Sequence, residues 1–79
     1  MRVIGEIPHA SCKITIFHWN GKYIVKLEQG LLEQSYKIDE TEIIDPDEIK
    51  NVLNEEFMQS VLKRFRDMHV DLMNSLETL

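Results

Sequence analysis

The chain has a single cysteine, Cys12, among its 79 residues. No disulfide can form within it, so cross-linking is excluded as a source of stability. It has only 3 glycines and 2 prolines, so sharp turns must fall at a few definite points. No run of apolar residues approaches the ~18 needed to span a bilayer. The opening Met1-Arg2-Val3-Ile4-Gly5-Glu6 is too short and too polar for a signal peptide. With a lone cysteine and no export signal, a reducing, cytoplasmic setting is expected. There is no internal repeat and no low-complexity tract.

The composition is that of a globular domain, 43% hydrophobic and 29% charged, and not that of a disordered chain. Residues 1–79 make one domain, close to the lower size at which a single apolar core suffices. Chains of this size often recruit a disulfide, a metal or a partner subunit. The first is excluded, and self-association becomes the leading expectation. The formal net charge of −5 is unevenly spread. Residues 1–38 carry five bases and three acids, whereas residues 39–79 carry four bases and eleven acids. The strand half is mildly basic and the helical half acidic, and an acidic chain overall is repelled by nucleic acid.

Residues 12–19 are rich in β-branched and aromatic side chains. Asn20-Gly21 follows, a strong hairpin signal, because a type I′ turn needs positive φ at both central positions. Residues 22–28 run back, Gln29-Gly30 reads as a second tight turn, and residues 31–38 form a third strand. The first turn sets Trp19 opposite Lys22, His18 opposite Tyr23, Phe17 opposite Ile24, Ile16 opposite Val25 and Ile14 opposite Leu27. The second sets Leu27 opposite Leu32, Lys26 opposite Glu33, Tyr23 opposite Tyr36 and Lys22 opposite Lys37. One face then carries Ile14, Ile16, His18, Tyr23, Val25, Leu27, Leu32, Gln34, Tyr36 and Ile38, and is the expected core face.

Asp45, Pro46 and Glu48 form a helix start, with Ile44 and Ile49 spaced as a hydrophobic staple. Beyond it, Ile49, Val52 and Leu53 share one stripe. Phe57, Met58, Val61, Leu62, Phe65, Met68, Leu72, Met73 and Leu76 share another, rotated by roughly 150° on a straight helix. A break near residues 54–59 would turn both stripes to one core. The expected fold is therefore α+β: a three-stranded antiparallel β-meander (about 12–19, 22–28, 31–38) followed by two helices (about 46–55 and 58–77) on one sheet face. The second helix has an apolar arc of roughly 160°, wider than contact with a small sheet requires, and Leu62 and Met73 become interface candidates.

No catalytic constellation is legible. Cys12 with His9 or His18 lacks an orienting third group and an oxyanion-hole signature, and there is no P-loop, GxGxxG or HExxH. His9, Cys12, His18 and His69 lack metal-site spacing, and no cofactor is expected. His18 on the core face and His69 on the last helix would form a small-molecule or metal site only if the fold brought them together. The basic cluster Lys63-Arg64-Arg66 is interleaved with Asp67 and Asp71 and reads as a solvated helix face, with Lys63–Asp67 and Arg64–Asp67 pairs.

The second sheet face is the informative one. A wet face should be polar, yet this one carries Phe17, Trp19, Ile24 and Leu31 among Lys13, Lys22, Lys26 and Lys37. Three explanations compete: a protein interface, which aromatics favour; cover by the segment Val3–Ile7, folding back as an extra strand or arm; and a platform for single-stranded nucleic acid or an anionic partner. The leading expectation is a non-enzymatic protein-interaction or regulatory domain that forms a homodimer.

Overall fold

The computed structural model describes residues 1–79. Asn20 and Gly21 both take positive φ, 53° and 75°, the type I′ geometry that matches the twist of two antiparallel strands. They join β2 (Lys13–Trp19) to β3 (Lys22–Gln29). The pairing is the one the turn dictates: Trp19 with Lys22, Phe17 with Ile24, Ile16 with Val25 and Ile14 with Leu27. A final strand, β4 (Leu32–Asp39), returns beside β3.

The sheet has four strands, in the order β1-β2-β3-β4, and not three. The added strand is β1 (Arg2–Ile7), antiparallel to β2. Its sequence lacks the two-residue alternation because a bulge falls between Val3 and Gly5. One extra residue there lets Ile4 and Ile7, three apart, both pack against the core. The segment thus widens the sheet instead of covering its second face.

The β3–β4 register also differs, by two residues. Gln29 faces Leu32, Leu27 faces Gln34, Tyr23 faces Ile38 and Lys22 faces Asp39. Gly30, with φ 59°, is the first central residue of the turn and Leu31 the second. A turn at Gln29-Gly30 would have asked Gln29 for positive φ, whereas Gly30 takes it without a Cβ penalty. A two-residue shift preserves side-chain parity, so the same residues line each face.

Asp45 caps the helical region, its carboxylate accepting the Asp47 N–H at 3.0 Å. A single 3-10 turn (Pro46–Glu48) leads into α1, only Ile49–Val52. The staple does not form: Ile49 is buried but Ile44 is exposed, and Ile43 enters the core instead. The break comes at Leu53-Asn54, earlier than the stripes alone suggest. Asn54 caps α2 (Glu55–Glu77), its Oδ1 accepting the Phe57 N–H at 2.9 Å. Asn followed by Glu55 and Glu56 is a helix-start signature in its own right.

The core joins Ile14, Ile16, Val25 and Leu27 of the sheet to Ile43, Ile49, Met58, Val61 and Phe65. Each fully buried aliphatic or aromatic side chain here contributes about 1.5–3 kcal/mol relative to exposure. Polar contacts index α2 against β4. Gln34 Nε2 donates to the Val61 carbonyl at 2.9 Å, Arg64 donates to Gln34 Oε1 at 3.0 Å and to the Tyr36 hydroxyl at 2.7 Å, and Tyr36 donates to Gln34 at 3.2 Å. Tyr36 also meets Phe57 edge-on, centroids 5.2 Å apart. Arg64 is thus engaged by the sheet, and neither the Lys63–Asp67 nor the Arg64–Asp67 ion pair forms. No helix is long and apolar enough to cross a membrane.

Candidate interaction surfaces

The apolar stripe of α2 outlasts the sheet beneath it. At ~100° per residue, Met58, Val61, Leu72 and Leu76 all lie within about 40° of Phe65. Met58, Val61 and Phe65 are 6%, 0% and 0% exposed; Leu72 and Leu76, on the same face, are 37% and 48% exposed. Past Phe65 the helix overhangs. The radius of gyration is 14.2 Å, against about 12 Å for a compact domain of this length.

Beside the overhang lies a groove of about 590 Å³ between α2 and the β3–β4 turn. Phe65, His69, Leu72 and Met73 form one wall, and Leu31 and Leu32 the other. Leu31, at the tip of the turn, is 96% exposed. Of the two helix residues expected at an interface, Met73 lines this groove and is half-buried, while Leu62 packs at the margin of the core. The sequence places Leu31 on the second sheet face as the first residue of a strand, whereas the two-residue register shift puts it in the turn, beside the groove. The signal was an apolar pair directly after Gly30, where a turn tip is usually polar.

The second sheet face is open. Val3, Phe17, Ile24 and Lys37 are level across the four strands. Phe17 and Ile24 are half-buried by their neighbours, and Val3 and Trp19 are exposed. The apolar area is a corner rather than the whole face. Lys26 is held by Glu33 at 3.3 Å and Glu28 at 3.9 Å, a diagonal version of the pairing expected with Glu33. Lys22 faces Asp39. The Asp39 carboxyl is held below its ordinary range first by the Thr41 N–H, then by the Thr41 hydroxyl, with a smaller contribution from Lys22. Lys13 and Lys37 are the remaining lysines of the face.

The histidines do not converge. His18 sits at the Asn20-Gly21 end of the sheet, 2.8 Å from Glu40, with its ring tilted 41° against Tyr23 at a centroid distance of 5.0 Å. The Glu40 N–H in turn donates to the Gly21 carbonyl at 3.0 Å. His69 lies against the Gly30 turn, at the other end of β3. A site shared by His18 and His69 is therefore not formed.

Cys12 and His9 are neighbours, Sγ 4.0 Å from Nδ1. That nitrogen already accepts the Ser11 N–H at 3.1 Å, and burial pushes the Cys12 thiol up from its ordinary value. Both effects oppose the thiolate that nucleophilic chemistry needs. No protein-family model, no curated protein and no solved structure matches the chain.

Proposed function

We propose that the protein is a non-enzymatic interaction domain that works as a homodimer, assembled through the overhanging half of α2. The observation that carries this reading is the exposure gradient along one helix face, from Phe65 at 0% to Leu76 at 48%. A helix stripe of this kind gains free energy only when something covers it. The chain is also at the size where a partner subunit commonly completes a core. The aromatic corner around Phe17, Trp19 and Ile24 is a further contact surface for another protein. Nucleic acid as its ligand has less support, since Lys26 is ion-paired and Lys22 faces Asp39.

Light scattering at micromolar concentration tests the reading. The expected mass is twice that of the chain, and Leu76→Asp returns it to one. A soluble wild-type monomer refutes it. Titrating single-stranded oligonucleotides against Trp19 fluorescence at low salt checks the sheet face, and no salt-sensitive response is expected.

A further inference from the structure

The groove and its occupant are parts of one surface. Met73 and Leu72 line the groove, and Leu76 extends the same helix face beyond it, uncovered. A patch that supplies both wall and insert is suited to a two-fold interface, in which each copy does to the other what is done to it.

The charges on the helix fix the direction. Asp67 and Asp71 project about 160° and 120° from Phe65, on the back and far flank of α2. Arg66 and Glu77 project about 100° and 120° on the opposite flank, the side of Met73. Neither Arg66 nor Glu77 forms an ion pair within the chain. They are eleven residues apart, which is about three turns, so they share a flank. Between antiparallel copies, residues on the same flank meet. Arg66 of each copy then faces Glu77 of the other, giving two equivalent pairs about an axis between Asp71 and Leu72. In a parallel pair the same residues are separated along the axis by about 16 Å, too far to bond.

Resting on the self-association reading, we infer that a second copy of this chain seats its last α2 turns antiparallel in the groove, with Leu76 against Leu31 and reciprocal Arg66–Glu77 pairs. This arrangement explains the bare leucine at a turn tip. The turn shares its groove with α2 residues from Phe65 to Met73, the stretch that the last turns of an antiparallel partner helix run beside.

The test uses full-length chains carrying Arg66→Glu or Glu77→Arg, with sedimentation equilibrium as the readout. Each variant alone places like charges at both pairs and raises the dimer dissociation constant roughly tenfold. An equimolar mixture restores attraction at both pairs, and the heterodimer forms with about wild-type affinity. Leu31→Ser, at an exposed turn, weakens the dimer without altering the circular dichroism of the fold. A wild-type dimer that Leu76→Asp splits, but that mixing does not restore, overturns the antiparallel arrangement while self-association stands. A monomeric wild type overturns both.

Discussion

The two halves of α2 carry the same apolar stripe and meet opposite fates. Residues 57–65 lie over the sheet, indexed by Gln34, Tyr36 and Arg64. Residues 69–77 continue that face past the sheet, beside the open groove at the β3–β4 turn, and Leu72 and Leu76 stay exposed. The difference is not in the residues, since Leu72 and Leu76 are as apolar as Val61. It is in the extent of the sheet. A stripe read from sequence gives the face a helix will bury, and only the fold gives how far along the helix a partner within the chain reaches.

The sharpest way to break this comparison is to truncate one side chain in each half. Phe65→Ala, at 0% exposure, should cost about 3–5 kcal/mol, measured by urea unfolding. Leu76→Ala, measured below the dimer dissociation constant, should change monomer stability by no more than ~0.5 kcal/mol. It should instead abolish the rise of Tm with protein concentration that a dimer produces. Equal losses at the two positions would mean that the overhang is packed within one chain.

Two smaller effects sharpen the boundary of the buried half. Asn54→Ala removes the side-chain acceptor for the Phe57 N–H and should cost ~1 kcal/mol. Amide exchange should then quicken in the first turn of α2 and not in the overhang. The smallest effect is at Asp39. Its carboxyl is depressed in the folded state, so its contribution is present at neutral pH and lost as pH falls below about 3.9. Asp39→Asn should flatten the acid limb of the stability profile slightly, because the group is exposed.

Much of the sheet was legible from a few residues. Asn20-Gly21 sets the β2–β3 register, and the alternation from Ile14 to Leu27 identifies the core face. What was not legible has local causes. The bulge at Ile4 replaces alternation with a three-residue spacing, so Val3–Ile7 was legible as an extra strand or arm but not as the edge strand beside β2. Gly30 suits either central position of a turn, and the choice moves the register by two. Asn54 acts as a cap within a sequence that no Gly or Pro interrupts. For the proposed interaction surface, Met73, Leu31 and the aromatic corner were legible as apolar residues. The turn-tip position of Leu31 and the overhang were not, because the β3–β4 register and the length of the sheet under α2 are properties of the tertiary arrangement.

The link from Gln34 to the Val61 carbonyl has one more consequence. A bond to a backbone atom, reinforced by Arg64, fastens the helix both along its axis and about it. Sliding α2 by a single residue would rotate every later side chain by ~100°. A glutamine in the sheet therefore sets the angular phase of leucines four turns further on, like a key that orients a shaft before its far end is engaged.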